Sequence, residues 1–309
     1  MDYLKIFSPA TVANVSCGFD SLGFAVDEVG DEMTFVKTPQ KGVEITNITG
    51  ADLTYNVDEN VAGAVVKKML LEAKADFGIQ ITIHKGYSPG SGLGSSAASA
   101  SGAAFGANKL LGDKYSNLEL TKFAMFGEEV ACGSQIADNV AAAIYGGFIL
   151  VRSYEPLEIV KLPVPKELRV VAIHPQIEVR TEDARNVLPK KIDLTDAITQ
   201  WANVGGLISG LYTEDYKLIS NSLVDIIVEP HRKKLIPFFD KVQQAAIKAG
   251  ALGAGISGSG PTIFALCKGD EDAKKVCEAI EKSYRNKGID FELFTSKINK
   301  KGIKIIESN

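Results

Sequence analysis

Cysteine and histidine are scarce. Four cysteines (Cys17, Cys132, Cys267, Cys277) and three histidines (His84, His174, His231) are scattered over 309 residues, with no CxxC pair. That argues against a disulfide framework or a structural zinc site and suits a reducing compartment. A long hydrophobic run is also lacking. The longest uncharged stretch, Gly86–Asn108 between Lys85 and Lys109, is long enough to span a bilayer, but Gly, Ser and Ala dominate it, and insertion needs far more apolar surface. The opening MDYLKIFSPA has no basic segment ahead of an apolar core, so no secretion signal is expected and the expected location is the cytoplasm. Nor is there an excess of positive charge. With 34 Lys and Arg against 38 Asp and Glu, the net charge is −4, and neither nucleic acid nor an anionic membrane is an expected partner.

What is present is an ordinary globular composition, 45% hydrophobic and 23% charged, which excludes wholesale disorder. At roughly 150 residues per domain the length suggests two domains. Strands are expected at Leu4–Pro9, Glu32–Lys37 and Ile79–His84, with helices at Val61–Lys74, Ser95–Leu111 and Leu118–Ala131. Ala142–Arg152 should enter a strand through Gly146–Gly147. Leu157–Glu167, rich in charge and with two prolines, reads as the crossover between domains. The second half restarts with a strand at Leu168–Ile173. Helices follow at Asp193–Leu211, Tyr216–Ile227 and Pro237–Ala249, then a strand at Thr262–Cys267, a helix at Asp270–Lys287 and a strand at Phe291–Lys297. Regular βα alternation is missing, and no internal repeat is visible. The expected architecture is α+β in two domains, 1–165 and 166–309.

The strongest local feature is Pro89-Gly90-Ser91-Gly92-Leu93-Gly94-Ser95-Ser96, three alternate glycines opening onto a helix. Glycines let a chain turn with its N–H groups exposed, and a helix N-terminus adds partial positive charge, which suits nucleotide phosphates. The same glycines could also serve a tight turn that binds nothing. A P-loop fails, because the chain has no Gly-Lys dipeptide. A dinucleotide fingerprint at Gly92-x-Gly94-x-x-Ala97 would put its acidic partner near Glu119, inside an expected helix. The hydrolase pattern Gly86-Tyr87-Ser88-Pro89-Gly90 fails chemically, since Pro89 has no N–H for an oxyanion. A second cluster, Gly253–Pro261, contains Gly255, Ser257, Gly258, Ser259 and Gly260. One glycine cluster in each half suggests a shared cleft where backbone approaches a ligand closely.

The chain resembles the kinase superfamily named for galactokinase, homoserine kinase, mevalonate kinase and phosphomevalonate kinase (GHMP kinases), and within it the homoserine branch. Three ordered motifs carry the resemblance: Ser8–Asp20, Pro89–Ser96 and Gly253–Pro261. Asn14…Gly18-Phe19-Asp20, Asp138-Asn139-Val140 ahead of Gly146-Gly147-Phe148, and Thr181…Ala184-Arg185 point to the branch. The resemblance implies a ribosomal-protein-S5-domain-2-like N-terminal α/β domain, a ferredoxin-like C-terminal domain, and ATP-dependent phosphorylation of L-homoserine to O-phospho-L-homoserine for threonine synthesis. It leaves room for another small-alcohol kinase or a silent nucleotide-binding regulator.

By the same resemblance the Gly90–Ser96 loop wraps the ATP phosphates, Ser96 and Glu128 bind Mg²⁺ (with Glu129 as an alternative), and Asn60, Val61 and Lys85 lie on the adenine side. Arg185 and Arg232 would take the substrate carboxylate as planar donors, although either arginine could instead make a surface ion pair. Asp20 would take the ammonium, Asn14 and Asn139 would orient the hydroxyl, and Thr181 would lie near the transferred group. Relatives that act on mevalonate place an aspartate where this chain has Asn139, which implies transfer without a protein base. Many homoserine kinases carry histidine where this chain has Ile136. A homodimer is possible, since relatives often dimerise.

Overall fold

The computed structural model describes residues 1–309, apart from the side chain of Cys132. The first half runs β1 (Tyr3–Ala13), β2 (Leu22–Thr38), β3 (Gly42–Thr49), α1 (Val61–Ala73), β4 (Gly78–His84), α2 (Ser95–Leu110), α3 (Asn117–Cys132), α4 (Asp138–Tyr145), β5 (Phe148–Tyr154) and β6 (Leu157–Leu162). The second half adds β7 (Leu168–Pro175), α5 (Thr181–Asn186), α6 (Leu194–Thr213), α7 (Tyr216–Ser222), α8 (Glu229–Arg232), α9 (Phe239–Lys248), β8 (Gly253–Ile256), β9 (Ile263–Lys268), α10 (Gly269–Tyr284), β10 (Phe291–Lys297) and β11 (Lys304–Ser308). Among the described residues no helix is long and apolar enough to cross a membrane.

A seven-stranded sheet is ordered β11-β1-β2-β4-β3, and β5 and β6 extend from the other end of β2. The second sheet is four-stranded, β10-β7-β9-β8, and wholly antiparallel. In β2 the alternation Asp31, Met33, Phe35 faces inward and is fully buried. Helix α2 lies against this sheet, and its small residues are what allow it: a Cβ at Gly106 would overlap the ring of Phe35, and one at Gly102 would overlap Met33. Glycine weakens a helix by roughly 0.5–1 kcal/mol relative to alanine. Close approach to buried apolar surface offsets that.

Two expectations change. Leu157–Glu167 is not a plain crossover, because Leu157–Leu162 forms β6, hydrogen-bonded to β5 in a hairpin of the first sheet. The chain also does not end in its second half. β11 pairs antiparallel with β1, Leu4 opposite Ser308, so the tail of 166–309 returns to the first sheet. His174 lies in strand β7 and is buried.

Candidate active site

The three motifs converge on one cleft of about 280 Å³. β1 is followed by three consecutive left-handed residues, Asn14, Val15 and Ser16, with φ of 68°, 37° and 59°. Such conformations cost on the order of 1–3 kcal/mol each outside glycine and persist only where surroundings enforce them. Here the enforcement is visible. The Asn14 side-chain amide donates to the Gly258 carbonyl at 2.6 Å, and its oxygen accepts the Asp20 N–H at 3.0 Å. The third motif therefore holds the first in place.

It also holds the glycine loop. Ser257 donates its hydroxyl to the Gly92 carbonyl at 2.7 Å, and Thr262 donates to the Ser91 carbonyl at 2.6 Å. A Cβ at Gly92 would overlap the carbonyls of Ser257 and Gly260. Helix α2 starts from Gly94, which takes the left-handed conformation (φ 67°). The first-turn amides of a helix have no intrahelical acceptor, and here that turn carries the cleft-lining Ser95 and Ser96. Pro89 and Gly90 line the cleft too, whereas Leu93 is buried in the apolar core between the two sheets. Of the third motif, Gly258 and Ser259 reach the cleft, while Gly255 sits in β8 and Gly260 backs the loop.

At the other end of the cleft Arg185, in the last turn of α5, makes a forked pair with Asp20, at 3.1 and 3.2 Å. Both side chains are about one-third exposed. Arg232 differs. Its guanidinium is buried, donating to the Ala184 carbonyl at 2.9 Å and the Gly258 carbonyl at 3.0 Å. It stacks over Phe19, 4.8 Å from the ring centre. Burial lowers its pKa to about 10, opposed by Asp20, so it remains a cation at neutral pH. The surface ion pair foreseen as an alternative for Arg232 is thus absent. Thr181, which opens α5, lines the cleft together with Asn14, Asn139 and Ile136.

Glu128, on α3, is buried at the cleft wall. Burial pushes its carboxyl up to about 7, against a hydrogen bond from Ser96 and the charge of Lys85. Two hard oxygen donors side by side, the Ser96 hydroxyl and the Glu128 carboxyl, fit a Mg²⁺ ion. Among the described residues no cluster of three or more His, Cys, Asp or Glu could hold a metal. A two-ligand protein site suits Mg²⁺, which keeps waters and substrate phosphates as its other ligands. Glu129 instead accepts a hydrogen bond from Gln135 at 2.7 Å.

The three residues assigned to the adenine side do not line the cleft either. Asn60 caps α1, its oxygen accepting the Ala62 N–H at 3.0 Å while its amide donates to the Thr54 carbonyl at 2.8 Å. Val61 packs on the core of the first sheet. Lys85 is buried beneath the glycine loop, paired with Asp31 and donating to the Ser95 carbonyl at 2.8 Å and to Ser99 at 3.0 Å. Burial pushes Asp31 up and Lys85 down, each opposed by the other's charge.

Two site residues were missed. Asp138 lines the cleft and accepts the Asn139 N–H at 2.7 Å. Burial, then the charge of Asp20, pushes its carboxyl up to about 7. The only sequence signal was an acid opening a helix next to an amide already assigned to substrate. The other is Thr11, whose hydroxyl donates to Asn139 Oδ1 at 2.6 Å.

Family comparisons agree with this geometry. Residues 60–147 match the GHMP kinases N terminal domain and residues 207–286 the GHMP kinases C terminal domain. A homoserine kinase of Chlorobium phaeobacteroides is 45% identical over 97% of this chain and 98% of its own length. The chain belongs to the homoserine kinase family. A crystal structure of homoserine kinase from Cytophaga hutchinsonii superposes with a TM-score of 0.96 at 51% identity, covering 99% of this chain and 98% of that one. The L. major mevalonate kinase, solved with R-mevalonate, shares the fold at a TM-score of 0.72 and 16% identity over 95% of this chain and 96% of that one. The two-domain fold of this family, with its glycine-rich loop facing the second domain, is the one described above.

Proposed function

We propose that the cleft transfers the γ-phosphoryl group of ATP to the side-chain hydroxyl of L-homoserine, giving O-phospho-L-homoserine and ADP. The observation that carries this reading is the forked Asp20–Arg185 pair beside the buried cation Arg232, across the cleft from the glycine loop. A zwitterionic amino acid presents one carboxylate and one ammonium. The pair and the buried arginine offer the complementary charges, with the ammonium on Asp20 and the carboxylate on Arg185 and Arg232. The relatives' shared designation as homoserine kinases names the same substrate.

Residues 1–165 would hold most of the nucleotide side and 166–309 most of the acceptor side, with the Gly90–Ser96 amides wrapping the phosphates. Ser96 and Glu128 would hold Mg²⁺, which when bound neutralises phosphate charge. Asn14 and Asn139 would orient the hydroxyl near Thr181. Asn139 cannot take a proton at neutral pH. The attacking oxygen forms its bond to phosphorus as the bond to the ADP oxygen breaks. The hydroxyl proton passes to a phosphoryl oxygen and then to solvent, so a positioned acceptor in a loose transition state needs no carboxylate base. The test is ADP release from ATP with L-homoserine, with mevalonate and with neither. Turnover with homoserine alone is expected; equal release without an acceptor would overturn the reading.

A further inference from the structure

Asn139 does not choose its own orientation. Its Oδ1 accepts the Thr11 hydroxyl at 2.6 Å, and its Nδ2 makes only a long contact, 3.4 Å, to Asp138 Oδ1. Thr11 is wholly buried. β1 slips its register against β2 between Pro9 and Thr11, and there the Thr11 N–H donates to the Leu93 carbonyl of the glycine loop at 2.9 Å. One residue is thus bonded through its backbone to the nucleotide loop and through its side chain to the acceptor amide. The space around that junction is closed. A Cβ at Gly94 would overlap both the Thr11 hydroxyl and Asn139 Oδ1.

We propose that Thr11 is a positioning residue that fixes the Asn139 amide with its NH₂ group toward the cleft, so that the acceptor hydroxyl meets a donor and never a carbonyl. This rests on the reading of Asn139 as the group that orients the hydroxyl. With Oδ1 engaged by Thr11, Nδ2 hydrogen-bonds a lone pair of the acceptor oxygen and the O–H proton points away from Asn139, toward the phosphoryl group that takes it. A flipped amide would aim Oδ1 at the cleft, hold the hydroxyl proton there and repel the phosphoryl oxygens. A threonine hydroxyl can accept as well as donate, so both neighbours select the orientation: with Oδ1 held by Thr11, Nδ2 faces the acceptor Asp138 Oδ1, whereas a flipped amide would set its carbonyl oxygen against that carboxyl oxygen. Held geometry of this kind is what phosphoryl transfer depends on.

The test is steady-state kinetics on Thr11→Val, Thr11→Ser, Asn139→Ala and the Thr11→Val/Asn139→Ala double variant, with thermal midpoints to verify folding. Thr11→Val should lower kcat roughly tenfold or more with the KM for ATP unchanged, since one oriented bond and its alignment are lost. Thr11→Ser, which keeps the hydroxyl, should recover most of the rate. In the Asn139→Ala background Thr11→Val should have no further effect on kcat, because no amide remains to orient. Thr11→Cys, similar in size but a weak donor, serves the same comparison where the valine variant does not fold. A serine variant as slow as the valine one, or a full additive loss in the double variant, would overturn the role of Thr11. Parent kcat in Thr11→Val beside a slow Asn139→Ala would refute Thr11 alone. Parent kcat in Asn139→Ala would refute the reading of Asn139 itself.

Discussion

Replacing Asp138 with asparagine should make the protein more stable at pH 8 and not at pH 4. The Asp138 side chain is buried beside Asp20 and Glu128, with Arg185 and the Tyr154 hydroxyl as its other polar surroundings. Its carboxyl lies at about 7 in the folded chain against 3.8 ordinarily. As pH rises from 4, the unfolded chain loses this proton first and the folded chain keeps it until about 7. The group therefore removes stability progressively across that window and leaves the deficit in place above it. The full gap corresponds to on the order of 4 kcal/mol. Asparagine gives up the favourable placement of an anion at the start of α4, worth roughly 0.3–1 kcal/mol, so a net gain of about 3 kcal/mol remains. At about 2–4 °C per kcal/mol, the midpoint should rise by roughly 6–12 °C at pH 8. The assay is thermal unfolding of parent and Asp138→Asn, free of nucleotide and metal, from pH 4 to pH 8. The difference between them should be near zero at the acid end and grow through neutrality. A difference that stays constant with pH would refute the reasoning, because only a carboxyl titrating inside this window produces the slope.

Glu128→Gln should abolish most activity while leaving the fold intact, since loss of the proposed metal-binding carboxylate would remove on the order of several kcal/mol of charge stabilisation; near-parent turnover at saturating Mg²⁺ would place the metal elsewhere. Arg185→Lys should raise the KM for homoserine about tenfold or more and that for ATP far less, the loss of a forked geometry amounting to about 1–3 kcal/mol; parallel changes in both constants would assign Arg185 to the phosphates. Asn139→Asp should lower kcat at neutral pH, because it adds a negative charge beside Asp138 and Asp20; a substantial gain in kcat across the pH–rate profile would mean that proton removal limits the parent.

Which residues were legible follows from how local their signals are. The glycine loop and the third motif could be read because glycine at a close approach is demanded by backbone geometry, as at Gly92 and Gly94. Helices α1, α2, α3 and α10 were visible within a few residues of their ends, since apolar periodicity or a run of small residues is local. β3 and β11 went unseen. They are edge strands with largely exposed side chains, and the partner of β11 lies at the opposite end of the chain. The expected strand Glu32–Lys37 is one half of β2, whose other half pairs with β5. Asp31 had a usable signal, an acid on the same face as Met33 and Phe35, and that face is buried. Its partner Lys85 was assigned to the adenine side by resemblance, which fixes a position in the chain but not the direction of a side chain. Asn60 was placed by the same resemblance, and its oxygen and its amide are both taken up around the start of α1.

If the cleft takes the acceptor as proposed, the two arginines would make that site both formed and open. Arg232 is fixed. Its guanidinium is pinned by two backbone carbonyls and a ring face and is almost sealed from water, so it contributes a permanent charge at a set place. Arg185 is held by Asp20, and its Nε is buried without a hydrogen-bond partner. An ion pair about one-third exposed is worth little, typically 0–1 kcal/mol. Exchanging it for a ligand's opposite charges therefore loses almost nothing, while the side chains are already gathered at the cleft and their ordering entropy is already spent. On the proposed reading a zwitterion would insert its ammonium toward Asp20 and its carboxylate toward Arg185 and Arg232, so that Asp20 and Arg185 each keep an opposite charge. A mono-anion without an ammonium would break the Asp20–Arg185 pair and leave Asp20 uncompensated beside Asp138, whose own carboxyl is already pushed up by burial and then by Asp20's charge. On the proposed reading, selectivity for an amino acid over a simple hydroxy acid would come from the like charge left behind, not from any extra contact made.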